Sequence, residues 1–395
     1  MFLIVYGKIK MTMKIAIINN LYPPFNRGGA ESVVKQQVND LTQQGHVVFV
    51  ITTKPLFNFQ QLKTDKSLDY KIYRFYPANI FSFYNLNKLF LILRVFWRLI
   101  DIFNLHSYFK IKKILTQEKP DVVYTHNLTG LGYLIPHLIK KLSREFILSD
   151  SEGSREEQDN PYIKNNKIKH IHTIHDVALI RPSGLLISGQ ETESILIKLY
   201  FKLTRWLFNS PDEVIFPSTW IKDYYTQHNF FANSKKQVIK NFNVEIKNLL
   251  SNKTLKTPTK VNLLYIGQIE KHKGILFMVK AINKLQITNY KLQVIGDGTL
   301  FKRVKQLASK NQHIKFYGQQ SNQQIKEILK QTDYLVVPSL CYENSPTVIF
   351  EALELGVPVI ASNLGGIPEL IKDKMNGYLF KANDKNNLIK ILKKL

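Results

Sequence analysis

Short apolar runs alternate with helical stretches in two successive series along this chain, and this alternation restricts its fold more than any other feature. Strands that are separated by helices pair in parallel, and a parallel sheet needs helices on both faces. The pattern therefore predicts an α/β protein with two doubly wound, Rossmann-like lobes that face each other across a cleft. Ligands of such sheets bind at the carboxyl ends of the strands, so we expect the site there.

A polar, Lys-rich stretch separates the two series and predicts the domain boundaries. It gives an N-terminal domain over 1–242, a linker over 243–260 and a C-terminal domain over 261–395. The pattern predicts that a helix starts shortly before Leu395, where the sequence ends. Two interpretations therefore stay open, a complete and a truncated C-terminal domain. The predicted strands are Lys14–Asn19, His46–Thr52, Lys71–Phe75, Asp121–Tyr124, Lys169–Ile174, Glu213–Phe216, Val261–Ile266, Lys291–Ile295, His313–Tyr317, Tyr334–Val337 and Val357–Ala361.

The net charge is strongly positive and predicts an anionic partner. Lys and Arg total 55 against 30 Asp and Glu, a formal charge of +25. Nucleic acid, a phosphorylated small molecule and an acidic membrane surface all fit this charge, although an AT-biased genome would account for part of it. One cysteine, Cys341, excludes an internal disulfide and fits a reducing, cytoplasmic compartment. The stretch Met1–Thr12 lacks a signal peptide's basic region and cleavage site.

The stretch Leu86–Leu105 is aromatic and aliphatic but carries too many charges to span a bilayer. Arg94, Arg98 and Asp101 are spaced four and three residues apart, so they share one helical face. The pattern predicts an amphipathic helix within a helical region that extends to Leu115. A core helix with one wet face is favoured, and a helix on a membrane surface is the alternative.

The stretch from Val336 to Leu370 is the most informative part of the sequence. Glu343 follows a predicted strand, and Glu351 lies eight residues later inside the next predicted helix. Asn344 or Ser345 can cap that helix, with Pro346 in its first turn, where a missing N–H costs nothing. The surrounding motif consists of Pro338, Ser339, Gly356, Pro358, Gly365 and Gly366.

This helix start predicts an anion site. The N–H groups of Ser345–Val348 have no partner within the helix, and the helix dipole adds to their attraction for anions. Glu351 lies about 9 Å along the axis from that end, from a rise of about 1.5 Å per residue. That distance matches the span between a diphosphate and a ribose. Two glutamates at this spacing are common in any protein, so the motif around them carries the prediction.

The whole pattern resembles the retaining glycosyltransferases of the GT-B fold, known as group 1 or family 4. The resemblance covers nearly the whole chain. It implies that Glu343 contacts the donor sugar's hydroxyl groups and that Glu351 binds the ribose. It also implies a nucleoside-diphosphate sugar as donor, no further cofactor, and transfer with retention of configuration.

Tyr265–Gly274 resembles the family's strand, turn and Lys-Gly signature, in which a basic pair clamps the donor diphosphate. Lys273 matches this signature, whereas Gln268 stands where the family has Arg. The alternative is that Lys273 is an ordinary surface lysine. No Asp-x-Asp motif is present, so we expect transfer without a metal.

Two stretches of the N-terminal domain also resemble the family. Gly28 and Gly29 lie between the first strand and the first helix, where glycine lets the backbone approach a ligand, and a flexible loop is the alternative. His175 resembles the histidine near the donor's anomeric centre. Two alternatives stay open for His175. It could belong to a metal site with His170 and His172, or it could be a histidine at a strand end without a catalytic role. His126 and Asn127 are candidates for the acceptor side.

The resemblance thus gives catalytic roles to His175 and Glu343. It gives donor binding to Gly28, Gly29, Gly267, Lys273, Gly274, Ser345, Pro346, Thr347 and Glu351. We expect a cytoplasmic enzyme, peripheral on the inner face of the membrane, that acts on a lipid-linked or glycan acceptor in cell-envelope synthesis. A sugar-nucleotide epimerase of the same fold is the nearest alternative. This sequence lacks the G-x-G-x-x-G motif of a nicotinamide-dependent oxidoreductase, which argues against that class. No nucleic-acid-binding module is recognisable in it.

Overall fold

The computed structural model describes residues 12–25, 28–55, 69–79, 90–151, 167–242, 260–285 and 289–395. The predicted linker over 243–260 lies outside these ranges except for Lys260, and so does most of Met1–Thr12. The chain divides into two compact units. The N-terminal unit consists of Met1–Gly184, Glu193–Pro217 and Lys222–Ile239, and the C-terminal unit consists of Leu185–Thr192, Ser218–Ile221 and Lys240–Leu395.

The N-terminal unit contains a seven-stranded sheet in the order β3-β2-β1-β4-β5-β6-β7. All neighbouring strands are parallel. The strands are β1 (Lys14–Ile18), β2 (Val47–Thr53), β3 (Lys71–Phe75), β4 (Val122–Thr125), β5 (Lys169–Thr173), β6 (Glu213–Phe216) and β7 (Lys235–Val238). The helices are α1 (Gly29–Gln43), α2 (Leu91–Phe103), α3 (Leu105–Glu118), α4 (Ile135–Ser151) and α5 (Ile195–Phe208), together with α6 (Thr219–Gln227), whose residues up to Ile221 belong to the C-terminal unit.

The C-terminal unit contains a six-stranded parallel sheet in the order β10-β9-β8-β11-β12-β13. Its strands are β8 (Val261–Ile266), β9 (Tyr290–Ile295), β10 (Ile314–Gly318), β11 (Tyr334–Val337), β12 (Val359–Ser362) and β13 (Gly377–Phe380). Its helices are α7 (Ile275–Ile282), α8 (Phe301–Ala308), α9 (Asn322–Lys330), α10 (Thr347–Glu354) and α11 (Lys385–Leu392).

The central strands of the second sheet are apolar on both faces. Leu263 and Val336 belong to one hydrophobic cluster, whereas the next residue on β8, Leu264, and the preceding residue on β11, Leu335, belong to another. Successive side chains of a strand point to opposite faces, so each face of the sheet carries its own core. In each sheet the strand order runs outward in both directions from the first strand of the unit, which is β1 in the first sheet and β8 in the second. This order is typical of doubly wound folds. The prediction of two doubly wound α/β lobes is confirmed.

The helical region predicted from Leu86 to Leu115 is interrupted in the structure, and its residues 86–89 lie outside the described ranges. It forms the two helices α2 and α3, which meet at Asn104. The Asn104 side chain accepts a hydrogen bond from the backbone N–H of Ser107 at 3.0 Å and so caps α3. No helix in the described part of the chain is both long and apolar enough to cross a bilayer.

The predicted wet face of α2 is wrong, because Arg98 and Asp101 on that face point inward. Arg98 is 9% exposed and Asp101 is fully buried, whereas Phe96, Leu99 and Phe103 are 45 to 59% exposed. Asp101 accepts hydrogen bonds from the Gly130 N–H at 2.8 and 2.9 Å and forms an ion pair with Arg98 at 3.5 Å. Polar partners inside the unit therefore fix the rotation of the helix about its axis.

Arg98 contacts further polar groups of the unit. Its guanidinium donates to Thr129 Oγ1 at 3.2 Å and to the Tyr200 hydroxyl at 3.0 Å, and it lies 5.5 Å from the centre of the Tyr133 ring. The Asn79 side-chain amide donates to Asp101 at 2.9 Å. A buried ion pair with this many partners holds its geometry, although it need not add net stability.

We expect Arg98→Met to lower the free energy of unfolding by about 3–5 kcal/mol, because Asp101 would stay buried without its counter-charge. Arg98→Met/Asp101→Leu should recover most of that loss, since both charges are then removed. Urea unfolding followed by circular dichroism measures both values. Lys110→Met, at an exposed position of α3, should change stability by less than about 0.5 kcal/mol. A double variant no more stable than Arg98→Met would contradict the expected coupling.

Candidate functional site

Lys273 and Glu343, which the sequence places 70 residues apart, are in direct contact in the C-terminal unit. The Lys273 ammonium lies 2.7 Å from Glu343 Oε1. The side chains are 30% and 14% exposed respectively. An ion pair that is mostly shielded from water is stronger than a surface pair and holds both groups in one place. The structure therefore brings together two of the residues predicted to bind the donor.

Glycine explains how the turn that carries Lys273 reaches this position. Gly274 has a φ of 73°, and a Cβ atom there would lie 1.7 Å from the carbonyl oxygen of Pro338. The turn over Lys271–Lys273 therefore packs its backbone directly against the loop that follows β11. The Leu340 N–H also donates to the His272 carbonyl at 2.8 Å. Any side chain at position 274 would push the turn away from Glu343.

The Glu343 carboxylate accepts more than one hydrogen bond. Besides Lys273, the Ser339 hydroxyl donates to Oε1 at 2.8 Å, and the Cys341 thiol lies 3.6 Å from the same atom. Burial by itself raises the pKa of Glu343, but Lys273 and the hydrogen bonds more than offset it and leave the pKa below its ordinary value. Glu343 is therefore ionised at neutral pH. Ser339 is a site residue to which the sequence analysis gave no contact, and only the fold places it beside Glu343.

Two glycines hold the loop of Glu343 from its other side. Cβ atoms on Gly365 and Gly366 would lie 2.2 Å from the Glu343 carbonyl oxygen and 1.9 Å from the Asn344 carbonyl oxygen. The Gly366 N–H donates to the Glu343 carbonyl at 2.8 Å. The two loops thus pack backbone against backbone, which only glycine permits.

Helix α10 begins directly after this loop, but its cap differs from the prediction. Pro346 is the N-cap residue, and no side chain caps the helix. The side chains of Asn344 and Ser345, which the sequence offered as caps, do not cap the helix. The Asn344 side chain accepts from the Ser218 hydroxyl at 2.8 Å, and the Ser345 carbonyl accepts from the Asn241 side chain at 3.2 Å. Without a side-chain cap, the N–H groups of the first turn stay available to an anion.

Glu351 and Gly267 occupy two further predicted positions in the same unit. Glu351 is a half-buried residue of α10, and burial raises its pKa. Gly267 follows β8, and its carbonyl oxygen would lie 1.9 Å from a Cβ atom at Gly296. The turns after β8 and β9 therefore pack closely. No contact between Glu351 and Lys273 or Glu343 is described, and the roles of Glu351 and Gly267 stay predictions.

The segment Leu185–Thr192 runs beside the Glu343 loop, and sequence analysis did not identify it as part of the site. The Ser188 N–H donates to the Leu340 carbonyl at 2.9 Å, and the Tyr342 N–H donates to the Leu186 carbonyl at 2.8 Å. The segment therefore forms a short antiparallel pairing with the residues just before Glu343. No local pattern reveals it, because its partners are more than 150 residues away in sequence.

The segment Ser218–Ile221 supports the same loop. The Trp220 ring stacks on the Tyr342 ring with centroids 5.5 Å apart and planes 14° apart. The Thr219 and Trp220 N–H groups each donate to the Glu369 carboxylate at 2.8 Å. Four separate parts of the chain thus fix the main-chain position of residues 340–345.

In the N-terminal unit, Gly28 and Gly29 lie at the start of α1, as predicted from the sequence. Gly28 is the N-cap residue in an extended conformation, and Gly29 is the first helical residue. The buried Glu31 carboxylate accepts a hydrogen bond from the Gly28 N–H at 3.0 Å. A carboxylate of the chain itself therefore occupies one backbone donor of this helix start. Donor binding by these glycines stays a prediction.

His175 pairs with His126 rather than with the histidines of β5. His126 Nδ1 lies 3.0 Å from His175 Nε2. His170 and His172 both contact the Thr125 hydroxyl oxygen, at 2.8 and 2.9 Å. This arrangement contradicts the alternative of a metal site formed by His170, His172 and His175. Within the described ranges, no group of three or more His, Cys, Asp or Glu residues could hold a metal ion.

The pKa values of these histidines are lowered by burial. The pKa falls to about 4 for His170 and for His175, and further below the ordinary value for His126 and His172. All four imidazoles are therefore neutral at pH 7, and each contact pairs one N–H or O–H donor with one acceptor. A role for His175 as a cation does not fit this environment. Its role near the anomeric centre stays a prediction.

Comparisons with known proteins agree with the fold and with the resemblance seen in the sequence. Residues 247–395 match the family model described as glycosyl transferases group 1. An uncharacterized 42.6 kDa protein in the cps region of Klebsiella pneumoniae is 26% identical over 372 residues, covering 93% of this chain and 89% of that protein. The N-acetyl-alpha-D-glucosaminyl L-malate synthase of Bacillus anthracis is 25% identical and covers 94% of this chain and 85% of the synthase.

One further relative matches a shorter part of the chain, and a solved structure superposes on nearly all of it. The amylovoran biosynthesis glycosyltransferase AmsK of Erwinia amylovora is 29% identical over 145 residues, which cover 34% of this chain and 36% of AmsK. The structure of Anabaena HepE in complex with UDP and glucose superposes with a TM-score of 0.62 at 17% identity, over 97% of this chain and 89% of HepE. At that identity the likeness shows the fold, which is the GT-B architecture.

We expect the protein to lose stability steadily as the pH falls from about 6.5 to about 4. An unfolded histidine has a pKa of about 6.5, whereas His170 and His175 have pKa values of about 4 in the folded protein. The unfolded state therefore binds protons first, and stability that is complete above pH 6.5 is lost as the pH falls. Thermal unfolding midpoints measured across this range test the slope.

The variant His170→Gln keeps a hydrogen-bonding group near Thr125 but cannot be protonated in this range. Its unfolding midpoint should fall less steeply with decreasing pH than that of the unaltered protein. Equal slopes would show that the buried imidazoles do not cause the acid sensitivity.

Proposed function

We propose that this chain, a member of the group 1 glycosyl transferases, moves a sugar from a nucleoside-diphosphate sugar to an acceptor hydroxyl with retention of configuration. One observation carries the proposal. The Lys273 ammonium lies 2.7 Å from Glu343, on the loop that leads directly into the uncapped start of α10. A cation and free backbone N–H groups are thus available next to a carboxylate that can accept hydrogen bonds from sugar hydroxyls.

The donor's diphosphate would bind at the start of α10, where Ser345, Pro346 and Thr347 form the turn. Lys273 would add its positive charge, since an ammonium has three donors and its contact with Glu343 uses one. Gly267 and Gly274 would let the backbone approach the nucleotide closely. Glu351, further along α10, would accept hydrogen bonds from the ribose.

Departure of the diphosphate is the step that such a site would stabilise. The bond between the anomeric carbon and the phosphate oxygen breaks through an oxocarbenium-like transition state, and the electron pair leaves with the phosphate. Preorganised N–H groups and Lys273 stabilise that developing charge. The acceptor oxygen then bonds to the same face of the sugar, and its proton passes to the departing phosphate. This route needs no carboxylate nucleophile, and we propose that it needs no metal.

The acceptor is proposed to belong to cell-envelope polysaccharide synthesis. AmsK supports this by its name, and the Klebsiella relative by its location in a cps region. The net charge of +25 favours an acceptor at an anionic surface, so we propose a lipid-linked acceptor and a peripheral position on the membrane. The name of the Bacillus anthracis synthase gives L-malate as its second component. A small acceptor molecule is therefore the competing hypothesis.

A thermal-shift panel of UDP-, GDP-, ADP- and TDP-sugars would identify the donor, since a ligand that binds only the folded protein raises its unfolding temperature. Transfer should then be measured with that donor in the presence of EDTA, and NMR of the product should show the anomeric configuration of the donor. Donor isomerised without any acceptor would instead establish an epimerase, and an inverted product would refute retention.

We expect Glu351→Gln to weaken donor binding by about 1–3 kcal/mol, which is about 5- to 150-fold in Kd, because its hydrogen bonds to the ribose would lose their charge. Isothermal titration with the donor measures the change. Glu354→Gln is the matched control, because Glu354 lies on the same helix and is exposed. Equal affinities of the two variants would refute the assignment of Glu351.

We expect Gly366→Ala to weaken donor binding without requiring a disallowed backbone conformation. The backbone φ of Gly366 is −84°, which alanine adopts readily, but the added Cβ would lie 1.9 Å from the Asn344 carbonyl oxygen. The loop carrying Glu343 must therefore move. Donor titration should show at least about a tenfold loss of affinity. A variant with unchanged affinity would show that the position of this loop does not control donor binding.

A further inference from the structure

The helical layer of the N-terminal unit exposes a group of large apolar side chains. Phe96, Leu99 and Phe103 of α2 lie at helical spacings of three and four and are all exposed. Phe109 of α3, and Leu199 and Trp206 of α5, are 59 to 68% exposed. We call these six residues the outer apolar face. Exposed apolar residues are common singly, but a group on adjacent helices marks an interaction surface.

Helix α5 resembles α2 in that some of its polar groups point inward, whereas Leu199 and Trp206 are exposed. The Tyr200 hydroxyl donates to the Ala178 carbonyl at 2.7 Å, and the buried Thr204 hydroxyl donates to the Leu179 carbonyl. Arg98 of α2 contacts Tyr200, so the two helices are fastened to each other by their polar sides. The apolar residues are therefore held outward by satisfied polar contacts within the unit.

A basic cavity of about 500 Å³ opens at the edge of this face. It is lined by Tyr108, His137, Lys140, Lys141, Arg144, Glu145 and Asn209. Its one acidic residue, Glu145, lies 3.8 Å from Lys141, which leaves an excess of positive charge from Lys140 and Arg144.

Aromatic residues of the outer apolar face border this basic cavity. The rings of His137 and Trp206 lie 6.2 Å apart, and those of Tyr108 and Phe109 lie 5.4 Å apart. Aromatic rings beside Lys and Arg are typical of the membrane–water interface, where an apolar body meets a polar headgroup layer. The cavity and the face therefore share one rim.

The charge of these helices favours an anionic occupant. Together α2, α3, α4 and α5 contain eleven Lys and Arg residues against four Asp and Glu residues, of which Asp101 is fully buried. A second protein copy would bring the same positive charge to the interface, which disfavours self-association. An anionic bilayer offers both an apolar layer for the face and phosphates for the cavity.

We infer that the outer apolar face and the basic cavity form one docking surface for an anionic phospholipid bilayer. The aromatic residues enter the interfacial layer, and Lys140 and Arg144 contact a lipid phosphate in the cavity. This inference deepens the proposed function, because it gives the part of the molecule that would meet a lipid-linked acceptor. It nevertheless concerns binding alone and can hold for an enzyme with any acceptor.

Vesicle sedimentation at low salt tests the inference with the full chain. Vesicles of phosphatidylcholine containing about 30% phosphatidylglycerol should bind the protein at least about tenfold more tightly than phosphatidylcholine alone. Lys140→Glu/Arg144→Glu and Phe96→Ser/Leu99→Ser should each reduce that binding by about tenfold or more. Circular dichroism and donor titration of the same variants show whether the fold and the donor site are intact.

Matched controls come from the C-terminal unit. Lys302→Glu/Arg303→Glu changes the net charge as much as the cavity variant does, at exposed positions of α8. Tyr317→Ser/Met375→Ser removes two exposed apolar side chains elsewhere. Both should bind vesicles as the unaltered protein does. An equal loss in the Lys302→Glu/Arg303→Glu control would show unspecific attraction to the net charge and would overturn the inference.

A second readout follows the depth of Trp206. Brominated lipids should quench tryptophan fluorescence in the unaltered protein but much less in Trp206→Phe. Equal quenching in the two proteins, or no vesicle binding at low salt, would overturn the inference. So would a concentration-dependent dimer that is lost in Phe96→Ser/Leu99→Ser, because the face would then bind a second copy. Nucleotide-sugar titration stays unaffected in all these cases, so failure of the docking surface is distinct from failure of the proposed function.

Discussion

The backbone contacts around Glu343 determine the arrangement of the whole candidate site. Gly274 packs on the Pro338 carbonyl, and Gly366 packs on the Asn344 carbonyl, each at a distance that a Cβ atom would not permit. These contacts bring the Lys273 turn and the start of α10 to the same loop. The ion pair between Lys273 and Glu343 is then a consequence of the backbone, since both side chains are delivered to one place before they interact. The site is thus built mainly by main-chain packing.

Much of this arrangement could be predicted from the sequence, for identifiable reasons. The central strands are nearly continuous apolar runs. Four strands begin and end at the residues predicted for them, namely Lys71–Phe75, Glu213–Phe216, Val261–Ile266 and Tyr334–Val337. Strands β7 and β13 were not predicted: β7 (KKQV) carries no apolar run, and β13 (GYLF) is only four residues long. The glycines and prolines near Glu343 marked that site because they are sensitive to backbone conformation.

Other features could not be predicted because they depend on distant parts of the chain. Periodicity shows that α2 has two unlike faces, but it does not show which face turns inward. The direction is set by Asp101, whose partners Gly130 and Asn79 are remote in sequence. The pairing of Leu185–Thr192 with the Glu343 loop is long-range in the same way, and so is the contact between His126 and His175. Local patterns thus gave the elements, whereas buried polar contacts gave their orientation.

The positive charge of the chain has two different physical settings. At the candidate donor site, Lys273 is matched by Glu343, and Gln268 stands where the related family has Arg, so this site holds little excess charge. Binding of a diphosphate there must rely on backbone N–H groups at the start of α10 more than on side-chain cations. Part of the chain's excess lies on helices α2 to α5 of the N-terminal unit, where Lys and Arg outnumber Asp and Glu almost three to one. Charges next to exposed aromatic residues act over the range of a Debye length, about 8 Å at physiological salt. These charges therefore suit a broad anionic surface better than a single small ligand. The protein would thus recognise its donor and the surface where it works at two different places.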